Sequence, residues 1–150
     1  MRVILPPEGD LIVLKGDQAM IGDRHAMRVA GRSIDDSEPK YKLPAGFRKS
    51  LEVFNLHRVG ECERVIVVEG FFDCMKVHQA GFPCVALMGS ALSVEQEETL
   101  FRRFKRIILF LDGDDAGRKA TNELLVEIWK HVPCIALVLA DGSQPDQMSS

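Results

Sequence analysis

Two short acidic motifs contain the residues of this chain that are best suited to chemistry. The first, Val-Glu-Gly-Phe-Phe-Asp, supplies Glu69 and Asp73, and the second, Leu-Asp-Gly-Asp-Asp-Ala-Gly, supplies Asp112 and Asp114. Each motif follows an apolar run and precedes a helix-like stretch, so the carboxylates lie where a strand ends and a helix begins. Open α/β sheets bind ligands at that edge. Several carboxylates gathered there predict a site for Mg²⁺ and phosphate chemistry.

The second motif gives the stronger indication of a cation. Asp112 and Asp114 follow a buried strand, and two such carboxylates repel each other unless a cation or a proton is present. Capping of the next helix by Asp114 or Asp115 is the simpler interpretation, but three acids in four residues exceed what capping requires. A lone Glu69 is more often structural, and Asp73 could simply complement the dipole of its helix.

Three other interpretations of the second motif fit less well. An EF-hand loop beginning at Asp112 would match at Asp114, Gly117 and Glu123, but Ala116 holds its fifth position and a strand precedes it. Phosphohydrolases of the haloacid-dehalogenase type have Thr or Val where Ala116 stands. A response-regulator receiver usually has its phosphorylated Asp after the middle of five strands, with further acids after the first strand.

Two loops could complete a site at the same edge. The small residues Gly89 and Ser90 would let backbone N–H groups approach a phosphate, although a plain turn explains them equally well. The tail Ala-Asp-Gly-Ser-Gln-Pro-Asp, residues 140–146, could return Asp146 to the edge. Its alternative is a frayed terminus.

From Arg64 onward, strand and helix patterns alternate, which predicts a parallel sheet with right-handed crossovers. Ser93 and Gln96 form a capping-box pattern at the start of the second helix. The predicted strands are Arg64–Glu69, Pro83–Met88, Arg106–Leu111 and Pro133–Leu139. The predicted helices are Phe71–Ala80, one from Ser93 to about Arg103, and one from about Asp115 to Lys130.

Residues 1–60 differ in pattern and are predicted to form a β-rich, basic lead-in before a domain at 61–150. Gly-Asp pairs separate short strands, as in an antiparallel meander. The predicted strands are Arg2–Leu5, Leu11–Leu14 and about His25–Ile34. Residues 35–49 indicate an extended connector, and 50–58 are ambiguous between helix and strand.

Composition limits the class of protein. The chain has 150 residues, 46% of them hydrophobic, which suits one compact unit with a substantial core. No apolar run is long enough for a membrane span or a signal region, so a cytoplasmic protein is expected. The four cysteines include no Cys-x-x-Cys pair, so no zinc site is expected and the thiols are predicted to be small core residues.

Charge is unevenly distributed, although the net charge is only −3. Residues 24–58 contain eight Lys or Arg and four acids, whereas residues 59–150 contain nine bases and fourteen acids. A basic segment beside an acidic domain could bind a polyanion next to a metal site. A solvated charged surface is the equally plain alternative.

Together, the two motifs resemble those of the Toprim domain, the catalytic fold shared by bacterial DnaG-type primases, type IA and II topoisomerases and several nucleases. The resemblance runs from about Arg64 to Asp146, and the 43-residue spacing between Glu69 and Asp112 suits two βα units. Upstream, Ala-Gly-Arg-Ser-Ile, Glu-Pro-Lys-Tyr-Lys and Phe-Arg-Lys-Ser-Leu resemble the lead-in of DnaG-type primases. Primase-like Toprim proteins of phages and plasmids are the most similar.

This resemblance implies an α/β fold of the Toprim (Rossmann-like) type, a four-stranded parallel sheet with flanking helices. It implies nucleotidyl transfer in DNA replication that depends on Mg²⁺, with Mn²⁺ as a substitute. Glu69 would be the general acid/base or a further ligand; the metal ligands would be Asp112, Asp114, Asp73 and Asp146. Phosphates of template or nucleotide would contact Arg32, Lys40, Lys49, Gly89 and Ser90. The implied partners are single-stranded DNA or RNA, nucleoside triphosphates, and a helicase or zinc-binding partner domain.

The chain also departs from that family. The third acidic motif often reads Asp-Pro-Asp, and here Gln144 replaces the first Asp, which puts additional metal ions in doubt. The primase zinc ribbon has no counterpart. The only tyrosine, Tyr41, lies in the Pro-Lys-Tyr-Lys segment, which argues against topoisomerase chemistry. A Toprim module that binds nucleic acid or a partner without turnover, and a Toprim nuclease, are therefore the alternatives.

Overall fold

The computed structural model of the chain divides into two compact units, residues 1–47 and 48–150. The structure describes the backbone of residues 2–4, 11–15, 18–23, 28–33, 41–43 and 45–147, and the side chains of 41, 43 and 45–147. Among these residues, no helix is both long enough and apolar enough to cross a membrane.

The first unit contains an antiparallel sheet in which each described strand pairs with the next one in the chain. Its strands are β1 (Arg2–Ile4), β2 (Leu11–Lys15), β3 (Gln18–Asp23), β4 (Arg28–Ser33) and β5 (Tyr41–Lys42). The predicted β-rich meander is confirmed, but β3 and β5 were not predicted. Gly22 and Asp23 indicated a turn, whereas Gly22 lies within β3 and pairs with Leu11 and Val29. Of the predicted connector, residues 35–40 and Pro44 lie outside the described residues.

The second unit contains the predicted four-stranded parallel sheet. Its strand order, β7-β6-β8-β9, comes from the structure. Its strands are β6 (Arg64–Val68), β7 (Cys84–Ala86), β8 (Arg106–Leu109) and β9 (Cys134–Ala136). Its helices are α1 (Phe71–Gln79), α2 (Val94–Arg103) and α3 (Asp115–Trp129). The predicted strands are longer than the observed ones, because Glu69 and the apolar residues 87–88, 110–111 and 137–139 lie in the loops after the strands. Pro83 and Pro133 lie before β7 and β9.

The sheet separates two apolar clusters, and β6 contributes to both, as its continuous apolar run indicated. Val65 and Val67 pack in the larger cluster with Leu100, Phe104 and residues of β8 and α3. Val68 packs in the smaller cluster with residues of α1 and β7. Burial on both faces fixes the end of β6, and therefore the position of the first acidic motif.

Residues 48–60 belong to the compact unit of the parallel sheet, although the sequence pattern grouped them with the lead-in. The buried Gln96 side chain donates from Nε2 to the backbone oxygens of Lys49 (3.1 Å), Glu52 (2.8 Å) and Leu87 (3.2 Å). Its Oε1 accepts from the backbone N–H of Ser93, and Ser93 Oγ accepts from Gln96 in return, which is the predicted capping box. A single glutamine thus holds both the start of α2 and the segment before the sheet.

Cys134 on β9 is predicted to react unusually slowly. Burial raises the pKa of its thiol to about 11, and only the thiolate is nucleophilic. At pH 8, its alkylation by iodoacetamide should be roughly a hundredfold slower than that of an ordinary cysteine. Peptide mass spectrometry over time measures the rate, with urea-unfolded protein as the control. Equal rates in folded and unfolded protein would contradict the prediction.

Candidate active site

The ends of three parallel strands bring the acidic motifs to one edge of the sheet. Glu69 directly follows β6, Asp112 lies three residues beyond the end of β8, and the loop 140–147 follows β9. We call residues 140–147 the C-terminal loop. Because β6, β8 and β9 are neighbours and parallel, their carboxyl ends necessarily lie side by side.

Asp73 is buried in the first turn of α1 and lies close to two other acids. Its Oδ1 accepts a hydrogen bond from the backbone N–H of Asp146 at 3.1 Å. Burial, and then the negative charges of Asp112 and Asp146, raise the pKa of the Asp73 carboxyl. The structure therefore brings together Asp73, Asp112 and Asp146, three of the predicted metal ligands. The tail does return Asp146 to the edge.

The C-terminal loop is fastened to the second motif by side-chain and backbone hydrogen bonds. Gln144 Nε2 donates to Asp112 Oδ2 at 2.9 Å. The Gly113 N–H donates to the Ser143 oxygen at 2.8 Å, and the Gly142 N–H donates to the Gly113 oxygen at 3.2 Å. The loop thus contacts Asp112 through Gln144 and Asp73 through Asp146.

Asp114 occupies a different place from the other three acids. It is the N-cap of α3, and its Oδ1 accepts from the Gly117 N–H at 2.7 Å. This is the simpler interpretation that the sequence had left open. Its role as a metal ligand stays a prediction, and so does the general acid/base role of Glu69, which is half-buried at the end of β6.

Arg118 connects the second motif to the C-terminal loop, and sequence reasoning missed it. Its guanidinium donates to the Gly113 oxygen (2.5 Å), Asp141 Oδ1 (2.7 Å) and Asp115 Oδ1 (3.1 Å). The hydrogen bond to Asp115, and then the contacts with the negative charge of Asp141, raise the pKa of Arg118. The sequence does contain an indication of this role. An arginine one helical turn after Asp114 can reach the loop that precedes the helix.

The small-residue loop after β7 is connected to the first motif through Met88. Buried Met88 has a φ of +62°, a conformation uncommon for a residue with a side chain, and its N–H donates to the Glu69 oxygen at 2.9 Å. Gly89 is half-buried and Ser90 is exposed. Backbone strain beside a predicted site is consistent with function; the phosphate contact itself stays a prediction.

The described geometry does not test the three predicted basic contacts. Lys49 is exposed and begins a short 3₁₀ turn, Lys49–Leu51. Arg32 lies on β4, where only the backbone is described. Lys40 lies outside the described residues. All three stay predictions.

Comparison with known proteins decides the family. The Toprim-like family model matches residues 66–148, which include all three acids that meet at the sheet edge. The chain belongs to the Toprim-like family. The match confirms the resemblance seen in the two acidic motifs.

DNA primases are among the relatives of this Toprim chain. The DNA primase of Clostridium acetobutylicum is 33% identical over 129 residues, which cover 78% of this chain and 21% of the relative. A DNA primase domain from Pseudomonas aeruginosa has the same fold, with a TM-score of 0.75, 28% identity, and coverage of 97% of this chain and 51% of that one. A DnaG primase catalytic domain bound to single-stranded DNA gives a TM-score of 0.71 and 27% identity, covering 88% and 47%. The chain thus spans about a fifth of the curated relative it matches.

The donor chemistry of this Toprim edge fits a divalent cation. Asp146 Oδ1 is buried and accepts no hydrogen bond from any described residue, and carboxylate oxygens are the ligands that Mg²⁺ prefers. In the part of the chain that the structure describes, no three His, Cys, Asp or Glu side chains already form a metal-binding group.

Asp73→Asn is predicted to stabilise the metal-free protein at neutral pH. A carboxyl whose folded-state pKa is raised contributes stability below its unfolded pKa and loses it as pH rises through the folded pKa. The charge on Asp73 therefore opposes folding above about pH 4, and asparagine keeps the acceptor for the Asp146 N–H. Thermal unfolding in EDTA from pH 4.5 to 8 should show a higher Tm for the variant, with the gap widening with pH. Exposed Glu98→Gln is the control, and a lower Tm for Asp73→Asn at pH 7 would contradict the prediction.

Proposed function

We propose that this chain is the nucleotidyl-transfer core of a DNA primase, which joins ribonucleotides on a single-stranded DNA template during DNA replication in the cytoplasm. The observation that supports this most directly is the meeting of Asp73, Asp112 and Asp146 at the sheet edge of a Toprim chain whose relatives are DNA primases. Such an acidic edge suits a substrate that arrives with its own cation, as nucleoside triphosphates do.

In this proposal, Asp112 and Asp146 hold Mg²⁺, with Asp73 and Asp114 as further ligands. The bound cation would neutralise triphosphate charge and orient the phosphoryl group for in-line attack. Glu69 would accept or donate the proton of the reacting hydroxyl, from its position directly after β6. Arg118 is a positioning residue, because it holds the backbone of the second motif through the Gly113 oxygen.

Nucleic-acid binding would come from basic side chains and from backbone N–H groups. Arg32, Lys40 and Lys49 would contact template or nucleotide phosphates, so affinity would fall as salt concentration rises. Gly89 and Ser90 would bind a phosphate from the loop after β7. The related DnaG domain bound to single-stranded DNA supports this partner. A helicase or a zinc-binding domain would be the protein partner.

One observation favours a second candidate, a Toprim module that binds nucleic acid without turnover. Gln144 stands where the family often has a carboxylate, and it occupies an oxygen of Asp112. A site that is already satisfied by an amide could bind template without completing the reaction.

Primer synthesis on single-stranded DNA tests the proposal. The chain is incubated with labelled ribonucleotides and template in Mg²⁺ or Mn²⁺, with EDTA as the control. Synthesis that EDTA abolishes is the expected result. Metal-dependent nicking of the template without synthesis would overturn the proposal in favour of a nuclease. Template binding with neither reaction would overturn it in favour of the non-catalytic module.

A further inference from the structure

Among the described residues of the C-terminal loop, Gln144 is the neutral residue whose side chain forms a hydrogen bond with an acid of the sheet edge. Its Nε2 donates to Asp112 Oδ2 at 2.9 Å. The rest of the residue is held within the loop, because its N–H donates to Gln147 Oε1 at 3.2 Å and its oxygen accepts from the Gln147 N–H at 3.1 Å. The amide is therefore positioned by its own loop.

The side chain at position 144 lies beside several negative charges, so it matters whether that side chain is neutral or charged. Asp73, Asp112 and Asp146 interact closely enough that the latter two raise the pKa of the first. An aspartate at position 144, as in the Asp-Pro-Asp pattern, would add a negative charge beside Asp112. An amide instead donates to that carboxylate, and a hydrogen bond to a charged acceptor is stronger than one between neutral groups.

We infer that Gln144 is a positioning residue that does at Asp112 what a cation would otherwise do. It fastens the C-terminal loop in the metal-free protein, and it competes with a divalent cation for the Asp112 carboxylate. The inference rests on the proposed function, because it takes Asp112 as a metal ligand. A cation bound at Asp112 would therefore weaken the hydrogen bond between Gln144 and Asp112. Conversely, this hydrogen bond lowers the affinity of the chain for the cation.

Two substitutions separate the two effects. Gln144→Ala removes the competing donor, so it should tighten Mn²⁺ binding by about threefold to tenfold, the equivalent of one net hydrogen bond. It should also lower the Tm in EDTA, because the loop loses its attachment. Gln144→Asp should lower the Tm in EDTA further, since it adds a charge, and should bind Mn²⁺ more tightly than the alanine variant.

The experiment combines Mn²⁺ titration by calorimetry, thermal unfolding in EDTA, and NMR with Mg²⁺. The side-chain NH₂ signals of Gln144, assigned by their absence in Gln144→Ala, should move as Mg²⁺ binds. Gln79→Ala is the matched control, because it removes an exposed amide of the same type at the end of α1, outside the C-terminal loop. It should leave Mn²⁺ affinity within about twofold of wild type, less than the loss of one net hydrogen bond.

The contradicting results are distinct. Weaker or unchanged Mn²⁺ binding in Gln144→Ala, with binding intact in the wild type, would overturn this inference alone; a weaker value would make the amide oxygen a ligand. Static Gln144 NH₂ signals during saturation with Mg²⁺ would also overturn it. Failure of the wild type to bind either ion would overturn the proposed function together with the inference.

Discussion

Asp112→Asn should weaken Mn²⁺ binding by at least about 100-fold and reduce primer synthesis by a similar or larger factor, because it removes the charge of a proposed metal ligand. Asp112 is the acid that the C-terminal loop contacts through Gln144 and whose charge acts on Asp73. Asparagine has nearly the same shape, so the fold should survive. Calorimetry and the primer assay measure the two effects.

Asp115→Asn is the matched control for this change. Asp115 lies in the same motif, but its side chain is fully exposed and pairs with Arg118 at 3.1 Å. The control should bind Mn²⁺ within about twofold of wild type, because an exposed ion pair contributes little. An equal loss of Mn²⁺ affinity in the two variants would mean that the overall negative charge of the motif attracts the ion. Asp112 would then not be a specific ligand.

Gly117→Ala should destabilise the protein by about 1–3 kcal/mol, the usual cost of overpacking, although alanine normally stabilises a helix. A Cβ at this position would overlap the backbone oxygen of Asp112 and stand 3.1 Å from its Cα. Either α3 or the Asp112 backbone must move, and Asp112 is the proposed ligand. Metal affinity should therefore fall together with the Tm.

Gly60→Ala is the matched control for Gly117→Ala. A Cβ at Gly60 meets nothing within 4 Å, and this glycine has no positive φ. Its Tm and its Mn²⁺ affinity should match those of wild type. If Gly117→Ala behaves like this control, then α3 does not press on the Asp112 backbone, and the glycine has no part in positioning the site.

The sheet and its acidic edge could be predicted because they follow from local patterns. Apolar runs such as Arg64–Val68 alternate with capped helices, and parallel strands bring their carboxyl ends together whatever the loops do. The meeting of Asp73 with Asp112 follows from that rule. The return of Asp146 was one of two open interpretations, and the contact between its N–H and Asp73 decides it.

Long-range contacts within the loops could not be predicted from the sequence. The amide of Gln144 reaches an oxygen 32 positions away, and Arg118 reaches Asp141; no periodicity encodes such pairs. Whether Asp114 caps α3 depends on the geometry of the first turn of that helix. The sequence motif alone does not specify this geometry. The same holds for β3, because Gly22 and Asp23 indicate a turn until pairing partners are known.

The most direct test of a metal site at this edge is a Mg²⁺ titration of the chain followed by amide NMR. We expect shifts confined to residues around Glu69 and Asp73, the second motif at Asp112, and the C-terminal loop from Ser143 to Asp146. Two acids in the first turn of α2, the exposed Glu95 and the half-buried Glu97, are the internal control. Shifts at α2 as large as those at Asp112, or no shifts at millimolar Mg²⁺, would contradict a metal site at this edge of the sheet.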